Sequence, residues 1–179
     1  YQREHPGELI HVDIKKLGRI GCGGHRITGN RRQNTRGIGW EFVHVAIDDA
    51  SRLSYAEVLP NERSSSSTGF LKRSVAWFQS RGVRVQSVMS DNGSCYVSHR
   101  FKATCQKLQL RHLRTRPYRP QTNGKAERFI QTLLREWAYK RPYATSNQRT
   151  HRLPRYLNYY NLRRRHASLN KRTPTQRLR

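Results

Sequence analysis

Three carboxylates stand where a carboxylate could do chemistry. Asp13 falls in the middle of an alternating stretch, ELIHVDIK over 8–15, among apolar neighbours. A charge in that setting is costly unless something pairs with it. Asp91 follows Val88-Met89-Ser90 and precedes Asn92-Gly93, at the end of a short β-branched run, where α/β sheets build sites. Glu127 borders an apolar stripe of Ala126, Phe129, Ile130, Leu133, Leu134 and Trp137, spaced for a helix. Taken singly, Asp91 reads as a turn former and Glu127 as compensation of a helix dipole. Taken together, three hard oxygen donors suit Mg²⁺ or Mn²⁺. Two such ions about 3.5–4 Å apart can activate an attacking oxygen and stabilise a leaving one in phosphodiester displacement.

The rest of the chain is built for a polyanion. Its 179 residues carry 36 Lys and Arg against 11 Asp and Glu, a net charge of +25 and a pI near 11.3. Between Asn92 and Ala126, and again from Trp137 to the end, there is no acid at all. Nucleic acid is the default partner, since Lys and Arg gain by releasing counterions from phosphates. A hydrophobic content of 34% with dispersed aromatics argues against a disordered tail. No apolar run is long enough for a membrane span and no leader is visible. Three cysteines without paired spacing suit a reducing cytoplasm, in a bacterial nucleoid setting. The chain opens on Tyr1 with Met89 as its sole methionine, which reads as a fragment.

The elements that must position the acids follow from periodicity. Strands are expected over 8–15, 40–47, 52–59, 83–89 and 110–115. Helices are expected from Ser64 to the stop at Gly82, over 101–108, from an N-cap at Asn123 to about Tyr139, and over 148–160. Residues 17–39 read as a long basic loop. The order βββαβαβα gives a mixed α/β fold, a five-stranded sheet flanked by helices. Residues 1–145 form the core, and 146–179 a basic helical extension of it.

Other candidates have plainer readings. Asp48-Asp49 precedes Ala50-Ser51 and reads as a turn. Cys22 and His25 lack the second pair that a zinc site needs. Cys95 and Cys105 read as small core or surface residues. His11 shares a strand face with Asp13, as a support for the site or a packed residue. His166 could contact phosphate or lie on the surface. Thr115 to Gly124 is a rigid connector or a DNA-contacting loop, with Tyr118, Gln121, Asn123 and Lys125 near the strand to be cut. Gln131 and Arg135 follow Glu127 along its helix.

The local words are more specific than the spacing. HVDIKKLGRI (11–20), VHVAIDDASRLSYAEVLP (43–60), VMSDNGSCY (88–96), TRPYRPQTNGKAERFIQTLLREWAY (115–139) and YYNLRRRHASLNKRTP (159–174) resemble the insertion sequence 481 family of transposases. Behind it stands the Asp-Asp-Glu core of retroviral-type integrases. The resemblance implies a ribonuclease H-like fold and two Mg²⁺ or Mn²⁺ ions held by Asp13, Asp91 and Glu127. It implies DNA cleavage exposing a 3′ hydroxyl, strand transfer to a target duplex, and a homo-oligomer on DNA. A ribonuclease H-type nuclease and a non-catalytic basic nucleic-acid-binding protein are the alternatives. Two features depart from the family: Arg165 stands where a proline is usual before His166, and no helix-turn-helix precedes the first strand. Weak preference for element ends is therefore expected of this chain alone.

Overall fold

The computed structural model describes residues 2–21, 39–115 and 123–178. Strand β1 (Ile10–Gly18) pairs antiparallel with β2 (Trp40–Asp48), which pairs antiparallel with β3 (Ser54–Leu59). Helix α1 (Ser64–Gln79) crosses to β4 (Ser87–Ser90), which lies parallel to β1. The short α2 (Ser94–Val97) and α3 (His99–Lys107) lead to β5 (Arg111–Arg114), parallel to β4. Spatial order is β3-β2-β1-β4-β5. The chain closes with α4 (Gly124–Leu133), a π-helical segment (Leu134–Ala138) and α5 (Ser146–Leu162). This is the mixed five-stranded sheet with helices expected from the βββαβαβα order.

Alternation on the central strands sorts two cores. Ile10 and Val12 point to one face and pack with Ala46, Phe70, Leu71, Phe78, Val88 and Phe101, beneath α1 and α3. Leu17, Val43, Val45 and Ile47 point to the other, against Ala126, Phe129, Ile130, Leu133 and Trp137 of the α4 stripe. Helix α5 closes the same core with Leu153, Tyr156, Leu157 and Tyr160. Burying each large apolar side chain contributes about 1.5–3 kcal/mol, so the stripe fixes which side of α4 meets the sheet. Buried Arg149 ties the far end, donating to Gly18 O (2.8 Å) and to Glu41 Oε2 (2.7 Å).

Several boundaries differ from expectation. Strand β1 runs on to Gly18, because Lys16, Leu17 and Gly18 pair with Phe42, Glu41 and Trp40. Strand β4 starts only at Ser87, and α2 was not legible as a helix in SCYV. Helix α4 widens into the π segment, where Tyr139 N bonds Leu134 O (2.9 Å). Thr132, outside the apolar stripe, is nevertheless buried and turns its hydroxyl to Arg128 O (2.9 Å), while Leu134 is only partly covered. Gly82 does stop α1, with φ +75, a conformation that favours glycine. None of the described helices is long and apolar enough to cross a membrane.

Candidate active site

Asp13 lies on the α4-facing side of β1, half-buried, its Oδ1 accepting from Ile14 N (2.7 Å). Its carboxyl is pushed up to about 6. Burial is the main cause; the charges of Asp91 and Glu127 add to it, against the Ile14 N–H and Lys15. Asp91 lies just past β4, the strand parallel to β1. The ladder pairs Ile10 with Val88 and His11 with Met89, and Asp13 and Asp91 each lie two residues beyond its last pair. Asp91 itself is exposed just past β4, its Oδ1 accepting from Gly93 N (2.9 Å). Glu127 is exposed in the first turn of α4. Asp13 thus feels the charges of both Asp91 and Glu127. The three acids do not form a closed ligand set: among the described residues no three His, Cys, Asp or Glu side chains are gathered closely enough to hold a metal ion.

Helix α4 is fixed to β1 by a buried polar chain that local sequence patterns do not reveal. Asn123, just before α4, makes no cap bond with its side chain. Its Nδ2 donates instead to Val12 O (3.3 Å), and its Oδ1 meets His11 Nδ1 (3.2 Å). On the other side of the ring His11 Nε2 meets Asp49 Oδ1 (2.7 Å). Asp49 is fully buried and also accepts from Lys125 Nζ and from Arg3 N (2.6 Å). Burial alone would raise its carboxyl, but His11, Arg3 N–H and Lys125 outweigh that and hold it well below the usual carboxylate range. Of the acidic pair, Asp48 turns its side chain into the turn, accepting from Ser51 N (2.7 Å) and Ser51 Oγ (2.6 Å). Both acids do lie at the β2–β3 turn, as expected, but the Asp49 side chain also anchors the buried chain to His11. The available signal was the redundancy: the turn needs one aspartate, and two are present.

Among the expected DNA contacts, Tyr118 and Gln121 lie outside the described residues, as do Cys22 and His25. Asn123 is buried in the polar chain, and the Lys125 ammonium faces Asp49, so neither side chain is free to meet a strand as placed. Gln131 and Arg135 are exposed along α4 and its continuation. Cys95 and Cys105 are free thiols in the core. His166, read as either a phosphate contact or a surface residue, is buried against Tyr160, ring centroids 4.8 Å apart.

The family description Integrase core domain matches residues 3–120, and a second description of the same name matches residues 108–174. The chain belongs to the integrase core domain family. This integrase core is 33% identical over 94 residues to an intracisternal A-particle Pol-related polyprotein of mouse intracisternal A-particle MIA14, which is 52% of this chain and 10% of that protein. It is 31% identical over 88 residues to the transposase for insertion sequence element IS904 of Lactococcus lactis, 49% of this chain and 35% of that protein. It thus spans a minor part of the curated relatives it matches. Its fold is that of the HTLV-2 integrase catalytic core domain solved with magnesium (TM-score 0.69, 15% identity, 99% of this chain and 100% of that one).

The donor chemistry of this integrase core fits a hard divalent cation. The half-buried Asp13 is penalised both by burial and by the charges of Asp91 and Glu127. A cation there would relieve that penalty.

Proposed function

We propose that this chain is the catalytic core of a transposase of the insertion sequence 481 type, cutting DNA at element ends and joining the exposed 3′ hydroxyl to a target duplex. The observation that supports the reading is Asp13 on β1, which feels the charges of Asp91, just past the neighbouring parallel strand β4, and of Glu127 on α4. In cleavage a water oxygen bonds to phosphorus as the P–O3′ bond breaks. In joining the freed 3′ oxygen bonds to a target phosphorus, and the target P–O3′ bond breaks. Neither step changes an oxidation state. Two Mg²⁺ or Mn²⁺ ions, when bound, activate the attacking oxygen and stabilise the leaving one.

The chain's own residues do the positioning. Asp13 is the fixed donor, set by β1 and by the Ile14 N–H. Asp91 and Glu127 are exposed, and their side chains can turn toward it. The Asn123–His11–Asp49 chain holds the start of α4, and so Glu127, against β1. Gln131 and Arg135 lie one and two turns beyond Glu127, where they can meet the backbone of the cut strand. The protein would act as a homo-oligomer on DNA, in the bacterial cytoplasm.

The test is Asp91→Asn, assayed for nicking and strand transfer and, at the same salt, for duplex binding by mobility shift. Cleavage and joining should be lost while binding stays, because the acids serve the chemistry and the Lys and Arg the affinity. Wild-type activity in the variant would remove Asp91 from the site. Cleavage without joining in the wild type would favour a ribonuclease H-type nuclease.

A further inference from the structure

Asp91 stands beyond the end of its strand. Strand β4 stops at Ser90, and its pairing with β1 stops earlier, at Met89 opposite His11. The holding of this acid comes from the other neighbour, β5. Thr115 N, just past β5, donates to Ser90 O (3.0 Å), and Asn92 Nδ2 donates to Thr115 O (2.9 Å). These two bonds bracket Asp91 without touching it.

A side-chain relay does touch it. Ser90 Oγ lies 2.9 Å from Asp91 O and 2.9 Å from His112 Nε2. A carbonyl only accepts, so the single hydroxyl proton of Ser90 goes to Asp91 O. His112 must then donate from Nε2. Two donors thus act in series, His112 Nε2–H to Ser90 Oγ and Ser90 Oγ–H to Asp91 O.

The relay is well anchored. Ser90 is fully buried, and the half-buried His112 ring packs against Phe101 of α3, with centroids 5.1 Å apart. Val88 packs in the core beneath α1 and α3, and Ser90, two residues on, shares its side of the strand. Asp13 lies on the other side, toward α4. The relay therefore reaches the acid from behind the sheet.

We propose that His112 is a positioning residue for the reaction: through Ser90 it orients the Asp91 peptide, and with it the carboxylate, for binding a divalent cation. The inference rests on reading Asp91 as an acid of the cutting and joining site. The exposed side chain hangs from this backbone unit and bends back to accept from Gly93 N (2.9 Å). A turn of the peptide between Asp91 and Asn92 swings that loop. Mg²⁺ tolerates little departure from octahedral geometry, so a ligand past the end of a strand needs its backbone held.

The experiment uses the full chain with two variants of His112. His112→Phe keeps a ring against Phe101 and removes the donor; His112→Gln offers an amide N–H in place of Nε2–H. Mn²⁺ binding without DNA, followed by the paramagnetic signal of the free ion, should weaken about tenfold in His112→Phe, the scale of losing a group that orients a ligand. His112→Gln should recover most of the loss. Ser90→Ala should weaken binding as much as His112→Phe does, and the double variant no further, because the two donors act in series. The Mg²⁺ concentration for half-maximal cleavage should rise in step, while the KM for DNA and duplex binding in chelator stay unchanged. Wild-type Mn²⁺ affinity in Ser90→Ala, no recovery in His112→Gln, or additive losses in the double variant would overturn the inference. Ser90→Ala carries the test should His112→Phe fail to fold. Asp91→Asn separates the two levels. If it loses Mn²⁺ binding and cleavage while Ser90→Ala keeps both, the enzyme reading stands and the relay falls. If Asp91→Asn binds Mn²⁺ and cleaves as the wild type does, or if the wild type binds no Mn²⁺, both fall.

Discussion

The side-chain amide of Asn123 reaches from the threshold of α4 to the carbonyl of Val12, 3.3 Å away, the residue immediately before Asp13. One hydrogen bond thus links the helix that bears Glu127 to the strand position beside the central acid. Behind it, His11 and Asp49 make the link a buried chain rather than a single contact.

Asp49→Ala should therefore be among the costliest substitutions outside the hydrophobic core. It strips the acceptor from His11, Lys125 and the Arg3 N–H together. Breaking a buried charge pair from one side costs about 3–5 kcal/mol. Urea denaturation measures the loss, and a change below about 1 kcal/mol, the scale of an exposed pair, would show that the chain does not hold α4.

Asp13→Asn should stabilise the fold in the absence of divalent cations. Among the described residues the carboxylate has no ion-pair partner, and it is half-buried and faces two like charges, whereas an amide keeps an oxygen for the Ile14 N–H. A gain of about 1–3 kcal/mol follows from relieving a raised carboxyl. Thermal melting in chelator should show the rise. Added Mg²⁺ should then lift the wild type more than the variant, and a variant less stable than wild type would refute the account.

His166 gives a pH dependence of known sign. Its folded value is about 4, against an ordinary 6.5, for the reasons of burial and the nearby Arg164 and Arg52. The unfolded chain then binds the proton more readily, so stability is lost as pH falls from about 6.5 to about 4 and is fully present above 6.5. The full effect is roughly 3 kcal/mol. Melting curves of wild type and His166→Phe at pH 7.5 and 5 should diverge, with the variant losing less on acidification.

Trp137→Ala should cost about 3–5 kcal/mol. The indole is almost wholly buried, and its Nε1 donates to Arg149 O (2.9 Å), joining the π segment to α5. Chemical denaturation checks the value, and retention of wild-type stability would show that the α4 and α5 walls pack independently.

The sheet and the α4 stripe were legible because their periods are local. HVDI alternates, and Phe129, Ile130, Leu133 and Trp137 repeat at helical spacing. What escaped was set at a distance. Asp49 reads as a turn residue until the fold brings it to His11, 38 residues away in sequence, and Asn123 reads as a cap until its amide is seen on β1. Thr132 falls among polar residues on the wheel yet is buried, its hydroxyl satisfied by its own helix. His166 had two open readings, and burial against Tyr160 decides against the surface one.

The sheet also carries a seam. Strand β1 is laddered to β2 along its whole length, from Ile10 to Gly18, but to β4 only at Ile10 and His11. Asp13 sits on the thick bank and Asp91 on the thin one. Hydrogen exchange, or a pulling force, should open the molecule first along that line, freeing β4 and β5 while β1, β2 and β3 stay joined. A small parting there changes the gap between the two acids without disturbing either core, so the spacing of the candidate site is governed by the weakest join in the sheet.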